Sequence, residues 1–190
     1  QRGDWTREDG IASVFAKNVY NVEGGFAEHG IPYDPTDGFA ARITEYEGHY
    51  YIAFRGTTFT SLEDWINNAQ QGVGLPASQY NQARQLAADV ALTLDPGTFT
   101  FVGHSLGGGL ASAAAYAGNA GAITFNAAGL HSRYQNGSPG NIRAHYIRGD
   151  VLSSFQDNSP IFGSAVGTRI MHQPRAWWNG PVSRHLMDQF

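Results

Sequence analysis

The sequence predicts an α/β protein with a mostly parallel sheet, and two observations carry this prediction. Short apolar runs rich in β-branched and aromatic residues alternate with helical patterns through the middle of the chain. The run at 99–102 also ends abruptly in a glycine-rich turn, and small residues with helical character follow at once. Right-handed crossovers would place helices on both faces of such a sheet. We expect one domain over residues 1–190, because this length suits a single sizeable core.

The first third of the chain predicts a helix followed by an antiparallel hairpin. Between residues 9 and 22, apolar side chains recur at helical spacing, namely Ile11, Val14, Phe15, Val19 and Val22. Residues 39–46 and 50–54 have the composition of strands, and a tight turn at 47–49 joins them. A glycine-, proline- and aspartate-rich loop separates the helix from the hairpin.

The remaining elements alternate in type. Residues 62–69 and 78–94 predict helices, the second with a continuous apolar stripe from Tyr80 to Leu94. The predicted strand 99–102 precedes a predicted helix over 110–116. Buried strands are predicted at 122–126 and 144–148, and a weaker strand at 167–171.

Composition excludes several classes of function. The net charge is −4 with no basic cluster, so nucleic acid is not expected as a partner. No apolar stretch approaches the length of about 18 residues that a membrane span needs, so no transmembrane segment is predicted. The chain has no cysteine, which excludes disulfides, a thiol nucleophile and a thiolate metal site. It begins without Met and without a signal-peptide pattern, so we interpret it as a mature form or an excised domain.

Residues 103–107 read G-H-S-L-G between a predicted strand and a predicted helix. This is the G-x-S-x-G pattern of the nucleophile elbow of α/β-hydrolases. A serine on a sharp, strained turn needs neighbours without side chains two positions before and after it, here Gly103 and Gly107. The turn also puts Ser105 at a helix N-terminus, where free N–H groups favour developing negative charge. We predict Ser105 as the nucleophile.

A serine nucleophile needs a histidine base, which in turn needs a carboxylate to orient it. In α/β-hydrolases the acid follows the serine in the chain and precedes the histidine. Asp150 lies just past the predicted strand 144–148, at the end where α/β sheets carry their sites. Asp157 lies deeper in a polar loop and is the alternative. We predict Asp150 as the acid.

Four histidines follow the nucleophile, and the base is sought among them. His145 lies inside a predicted strand, and His131 precedes the acid, which counts against both. His172 ends the last predicted strand and competes with His185, which lies in a segment that must fold back over the sheet. We favour His185, partly because of the family resemblance given below.

The oxyanion of acyl transfer needs two preorganised donors. One is the N–H after the nucleophile, which belongs to Leu106. The other must come from a loop after an earlier strand. Thr57 follows a glycine at the end of the predicted strand 50–54 and offers both an N–H and a hydroxyl. The alternative interpretation is an ordinary turn with Arg55 in a salt bridge.

Three separated motifs carry a family resemblance. Residues 54–57 read F-R-G-T, residues 62–68 read L-E-D-W-I-N-N, and residues 103–108 read G-H-S-L-G-G. In this order they resemble the class 3 (fungal-type) lipase family and its small bacterial relatives, over roughly residues 39–129. The family's F-R-G-[ST] motif implies an oxyanion role for Thr57. Residues 184–188, R-H-L-M-D, are similar to a histidine-containing segment near the end of bacterial members.

The chain departs from the family in two respects. The acid of the family is often followed by a proline, whereas Val151 follows Asp150 here. The chain is also shorter than the fungal enzymes and has no disulfides. The resemblance therefore implies an α/β-hydrolase fold and ester chemistry on a trimmed scaffold, and leaves the acid less well defined than the nucleophile.

The resemblance implies a serine carboxylester hydrolase that acts on lipid esters, a lipase or phospholipase A, through an acyl-enzyme. No metal or cofactor is expected. The partner is a lipid or small ester, with peripheral contact at a membrane or lipid interface, in a secreted protein or delivered effector domain. The alternatives are a thioesterase, amidase or short-chain esterase with the same triad, and an inactive hydrolase-fold binding module.

An acyl chain needs an apolar pocket, which the family often covers with a lid. The segment 58–76 lies where family lids lie, directly after the oxyanion loop. Four residues would give it an apolar inner face, namely Phe59, Leu62, Trp65 and Ile66. Alternatively, Trp65 and Ile66 are core residues of a fixed helix.

Overall fold

The computed structural model describes residues 5–21, 39–55, 77–149, 165–174 and 190. The helices in these ranges are α1 (Arg7–Asn18), α2 (Ala77–Thr93) and α3 (Leu106–Gly118), with 3₁₀ turns at Val19–Asn21 and Ser132–Tyr134. The strands are β1 (Ala40–Tyr46), β2 (His49–Arg55), β3 (Phe99–His104), β4 (Gly121–Phe125), β5 (Ile142–Ile147) and β6 (Thr168–His172). The helices and strands predicted in these ranges are therefore confirmed, with shifted ends. The predicted helix 62–69 lies outside the described residues.

The described strands form one sheet whose spatial order follows the chain, from β1 to β6. β1 and β2 are antiparallel, and every later neighbour pair is parallel. The hairpin turn is tight: Tyr46 pairs with His49, and Glu47 and Gly48 both have positive φ, of 52° and 77°. Two positive φ values match the twist of the flanking strands. The predicted α/β fold with a mostly parallel sheet and an N-terminal hairpin is confirmed.

Helices cover both faces of the sheet, but not by the route that the sequence suggested. When parallel strands follow one another in order, right-handed crossovers place their connecting helices on the same face. In agreement with this rule, α2 and α3 share one hydrophobic core on one face of the sheet. The opposite face is covered by α1, which precedes the sheet in the chain. The expectation that helices cover both faces is therefore confirmed. The reason given for it was wrong, because the described crossover helices lie on one face and α1 covers the other.

The core between the sheet and its two crossover helices is close-packed. The predicted stripe of α2 is buried at Tyr80, Ala83, Leu86, Ala87 and Val90. Small residues in α3 let its backbone approach its neighbours, as Gly109 shows: a Cβ there would lie 2.5 Å from the hydroxyl of Tyr80. This tight packing fixes the start of α3, which is where the candidate nucleophile lies.

The buried face of α1 agrees only in part with the predicted stripe. Val14 is 53 % exposed, and the residues of α1 and the following turn that face the sheet are Asp9, Ala12, Ala16 and Val19. Val19 of the predicted stripe is buried, and Ile11 and Phe15 pack partly buried against the same core. The two alanines and the charged aspartate were not predicted to share this contact. None of the described helices is long and apolar enough to cross a membrane. A single domain over residues 1–190 stays a prediction.

Candidate active site

Ser105 lies on the turn between β3 and α3, at the carboxyl edge of the sheet. Its φ of 56° and ψ of −124° are strained for a residue with a side chain. The Ser105 N–H donates to the carbonyl of Phe125, and the Ser105 carbonyl accepts from the N–H groups of Gly108, Gly109 and Ala128. These contacts fix the serine between β4 and the first turn of α3.

The two glycines of the motif are required by backbone contacts. A Cβ on Gly103 would lie 2.1 Å from the carbonyl oxygen of Gly107. A Cβ on Gly107 would lie 2.2 Å from the carbonyl oxygen of Phe54, on the neighbouring strand β2. Real Cβ atoms do not approach backbone this closely, so the turn can form only with glycine at both positions. The steric reason that the sequence suggested for this motif agrees with the structure.

Leu106 is the first residue of α3, so its N–H has no acceptor within the helix. The side chain is buried, whereas Ser105 is partly exposed. Thr57, the second predicted oxyanion donor, lies outside the described residues. The described segment 39–55 ends two residues before Thr57, at Arg55, which is the last residue of β2. Since β2 is the parallel neighbour of β3, this strand ends beside the serine turn.

Asp150 and its alternative Asp157 lie outside the described residues. The described segment 77–149 ends at Gly149, in the turn that follows β5 and directly before Asp150. Buried Asn126 holds the end of β5 against β4: its Oδ1 accepts the N–H of Ile147 at 2.9 Å, and its own N–H donates to the carbonyl of His145 at 2.8 Å. From the sequence, Asn126 was predicted only to end a strand. Its φ of 42° is one that asparagine tolerates better than most residues.

Two of the four histidines after the serine, His145 and His172, lie in a buried row of polar contacts that ends at Asp9. His145 Nδ1 lies 2.8 Å from His172 Nε2, and His145 Nε2 lies 3.0 Å from Asp9 Oδ1. The indole of Trp5 packs edge-on against both imidazoles. His145 is therefore a packed side chain on the α1 face of the sheet, in agreement with its exclusion as the base. His131 caps the 3₁₀ turn Ser132–Tyr134.

The carboxylate of Asp9 is buried and fully engaged. Arg143 donates two hydrogen bonds to it, from Nε to Oδ1 at 2.9 Å and from Nη2 to Oδ2 at 2.7 Å. The backbone N–H of Thr6 also donates to Oδ2, at 2.8 Å. Burial alone would raise the pKa of Asp9. The contacts with His145, Arg143 and Thr6 outweigh burial and hold this pKa well below its usual range. Asp9 thus stays ionised inside the fold.

A tyrosine contact beside the serine was not anticipated. Tyr20, in the 3₁₀ turn after α1, places its hydroxyl 2.9 Å from Nδ1 of His104. His104 directly precedes Ser105 and is 7 % exposed. The backbone carbonyl of Tyr20 also accepts from Nη1 of Arg55 at 3.2 Å. No local pattern could reveal this contact, because 84 residues separate Tyr20 from His104.

The remaining predicted site residues are not part of the described structure. His185 lies outside it, as do the four predicted lid residues Phe59, Leu62, Trp65 and Ile66. Phe190 is described and is buried on the α1 face. Its ring packs 5.1 Å from that of Phe125 and 5.8 Å from that of His172. The end of the segment that carries His185 therefore lies against β4, the strand whose carbonyl holds the serine turn.

A mostly parallel sheet with a strained serine between a strand and a helix at its carboxyl edge defines the α/β-hydrolase class of fold. Within this class, residues 30–177 match the family described as the Tle-like phospholipase domain. The chain belongs to this family of phospholipase-like domains. The resemblance to lipases is confirmed at this broader level, and the narrower class 3 assignment stays a prediction.

The chain is also similar to a curated relative, the extracellular phospholipase A1 of Serratia liquefaciens. The two are 34% identical over 198 residues, which cover 89% of this chain and 61% of the relative. The chain thus spans about three fifths of the length of the relative that it matches.

Proposed function

We propose that this domain hydrolyses an acyl ester bond of phospholipids through a serine acyl-enzyme. The observation that carries the proposal is the backbone of Ser105, which adopts a strained conformation at the start of a helix, at the carboxyl edge of the sheet. Strain of this kind persists where the surrounding fold enforces it, and it is common at catalytic residues. The match to phospholipase-like domains and the name of the Serratia relative support a phospholipid as substrate.

In the proposed reaction, Ser105 Oγ attacks the ester carbonyl while His185 takes its proton and Asp150 orients the imidazole. The carbonyl oxygen becomes an oxyanion, which the N–H of Leu106 and the N–H or hydroxyl of Thr57 stabilise. The imidazolium then protonates the departing alkoxide, and a lysophospholipid leaves. Water, activated by the same histidine, hydrolyses the acyl-serine to a fatty acid and regenerates the enzyme.

The position of Asp150 in the chain supports its role as the acid. It follows the turn after β5, and β5 is separated from β3 by β4 alone. Two strand spacings amount to about 10 Å, so the carboxyl ends of β3 and β5 lie within the span of a serine–histidine–acid chain. Asn126 holds the end of β5 to β4. The end of β5, three residues before Asp150, is therefore held in place.

Two contacts support His185 over His172 as the base. Nε2 of His172 is taken up by the imidazole of His145, and its ring packs against Trp5 on the α1 face of the sheet. Phe190 is anchored on Phe125, and five residues of extended chain reach at most about 18 Å. His185 is thereby tethered to the region of β4 that holds the serine turn.

The relative's name places it outside the cell. We extend this to the present domain as part of the proposal: it acts after export, on phospholipid in a membrane or another lipid surface. Phospholipids are assembled in such surfaces, so contact with the interface must accompany catalysis.

Covalent labelling and product analysis together test the proposal. A fluorophosphonate probe should label the wild-type protein and fail to label Ser105→Ala. A phosphatidylcholine with different acyl chains at its two positions should yield free fatty acid and lysophospholipid with the wild type only. Release of the sn-1 chain would match the relative's A1 specificity. A folded wild-type protein that is not labelled would contradict the serine mechanism, and labelling with turnover of thioesters or short esters but not phospholipids would contradict the substrate.

A further inference from the structure

Tyr20 connects two strands that both lead to the proposed oxyanion donors. Its hydroxyl lies 2.9 Å from Nδ1 of His104, the last residue of β3. Its carbonyl oxygen accepts from Nη1 of Arg55, the last residue of β2. His104 and Arg55 each stand two residues before a proposed donor, Leu106 and Thr57 respectively.

The connection lies where the sheet itself stops joining these strands. The pairing of β2 with β3 runs from Tyr50 and Phe99 to Phe54 and Gly103. Arg55 and His104 are the next positions along each strand, beyond the last paired residues. His104 leads directly into the serine turn, and Arg55 is the last described residue before Thr57. Tyr20 therefore continues the link between β2 and β3 by one position, through its own atoms.

The chemistry of the contact favours a fixed, neutral hydrogen bond. Burial of the hydroxyl raises the pKa of Tyr20 to about 12, although the charge of Arg55 works in the opposite direction. The phenol is therefore protonated at ordinary pH and can donate to Nδ1 of His104. An imidazole that accepts at Nδ1 carries its proton on Nε2. The two rings also meet edge to face, with centroids 6.0 Å apart, which restricts rotation of the imidazole beside Ser105.

We propose that Tyr20 is a positioning residue, which sets the spacing of the two oxyanion donors by tying His104 to Arg55. The inference rests on the proposed esterase function. Two donors stabilise an oxyanion only when both lie about 2.7–3.1 Å from it. A misplacement of about 1 Å can cost on the order of 10²-fold in rate. We call the link from Tyr20 to His104 and Arg55 the Tyr20 brace. Because these two residues precede the two donors in the chain, the brace acts on the distance between donor and oxyanion without touching the substrate.

Tyr20→Phe removes only the hydroxyl, and Tyr46→Phe is a matched control. The two side chains are similarly exposed, at 40 % and 42 %, and Tyr46 lies at the far end of β1, in the hairpin turn. With a soluble p-nitrophenyl ester, we expect Tyr20→Phe to lower kcat by about 10-fold to 100-fold, with KM changed less than about 2-fold. Affinity for an alkyl trifluoromethyl ketone, which forms a tetrahedral oxyanion on the serine, should fall in proportion to kcat/KM. Tyr46→Phe should match the wild type in all three.

The outcomes separate the brace from the proposed function. If the wild type neither labels with fluorophosphonate nor hydrolyses the ester, the proposed function fails. If the wild type is active and Tyr20→Phe retains its kcat, the brace is wrong. A Tyr20→Phe variant whose KM rises as much as its kcat falls, together with a lower Tm, would show a structural role only and would also overturn the inference.

The contact itself can be checked without activity. In a Ser105→Ala background, ¹⁵N NMR of His104 should show Nδ1 as a hydrogen-bonded acceptor with the proton on Nε2. Adding Tyr20→Phe should shift the Nδ1 resonance toward that of a non-hydrogen-bonded imidazole. An unchanged resonance would contradict the bond on which the inference depends.

Discussion

The backbone of Ser105 is held in a conformation that the residue would leave if it were free. Its φ of 56° and ψ of −124° lie outside the regions where L-residues ordinarily occur. Such a conformation costs about 1–3 kcal/mol and persists only when its surroundings enforce it. Four backbone hydrogen bonds of this residue, one from its N–H and three to its carbonyl, provide that enforcement among the described residues. The turn is consequently sensitive to its neighbours.

Gly107→Ala should disrupt the serine turn. The added Cβ would lie 2.2 Å from the carbonyl oxygen of Phe54, and neither backbone can move without changing the turn. We expect the rate of fluorophosphonate labelling to fall by more than about 10-fold, with a loss of stability of about 1–3 kcal/mol. Labelling kinetics and urea unfolding measure the two effects.

Gly10→Ala is the matched control for this substitution. A Cβ at Gly10 meets only Nε1 of Trp5, at 3.6 Å, which is an ordinary contact. Because the position lies within α1, alanine should stabilise the helix by up to about 1 kcal/mol and leave labelling unchanged. Normal labelling of a folded Gly107→Ala protein would show that the glycine is not sterically required.

The proposed base is tested by comparing His185 with His172. His185→Ala should lower kcat by about 10⁴-fold or more, because the serine loses its proton acceptor. His172→Gln keeps a side chain that can hydrogen-bond to His145 and should retain most of the activity. Steady-state kinetics with circular dichroism to confirm folding gives the comparison. The reverse order of activities would assign the base to His172.

The same logic applies to the acid. Asp150→Asn should lower kcat far more than Asp157→Asn, by about 10⁴-fold, because an amide holds the histidine in the wrong tautomer. A full kinetic analysis of both variants with one ester substrate measures the difference. Equal activities, or a larger loss in Asp157→Asn, would move the acid into the polar loop.

At the scale of single elements, the sequence predicts what depends on local periodicity and misses what depends on distant charge. The stripe of α2 was predictable, because Tyr80, Leu86 and Val90 recur at helical spacing and are buried. The burial of Asp9 on the inner face of α1 was not predictable. Burial of that carboxylate depends on Arg143, which lies 134 residues further along the chain. A helical pattern carries no trace of such a partner.

The same distinction holds for the candidate site. The G-x-S-x-G motif was readable because its glycines, its serine and its strand–helix context all lie within a few residues. Two contacts could not be predicted from the sequence, because each joins segments that only the folded sheet brings together. They are the hydrogen bond between Tyr20 and His104 and the one from Ile147 to Asn126. Local motifs therefore predict the candidate nucleophile, whereas the side-chain contacts beside it become visible only in the folded structure.

Attachment of α1 to the sheet gives a prediction at this scale. Asp9→Asn should cost about 3–5 kcal/mol in free energy of unfolding, because it leaves Arg143 beside a neutral amide in a largely buried position. Asp9 also serves the helix cap, where its N–H donates to Oγ1 of Thr6 at 3.2 Å. Thr6→Ala removes the cap alone and should cost only about 1 kcal/mol. Urea unfolding of both variants separates the contribution of the ion pair from that of the helix cap. Equal losses in the free energy of unfolding would show that the cap, and not the ion pair, holds the helix.

At the scale of the whole molecule, the two faces of the sheet are held by different physics. The face of α2 and α3 is covered by alanines, glycines and aromatic rings in close contact. The face of α1 contains apolar packing as well, but the Asp9–Arg143 pair and the two imidazoles lie within it. Protonation of a carboxylate weakens only the second kind of contact. The stability of the molecule should therefore depend on pH through the α1 face.

The direction of this dependence follows from Asp9. Because the fold lowers its pKa below the unfolded value of about 3.9, the stabilisation is fully present above that pH and is lost as the pH falls toward the folded value. One proton changes the free energy of unfolding by up to about 1.4 kcal/mol per pH unit in this window. Urea unfolding of the wild type and of Asp9→Asn between about pH 5 and about pH 2 should give two curves that converge on acidification, since the variant lacks this proton uptake. Curves that stay parallel would show that Asp9 does not link acid to unfolding.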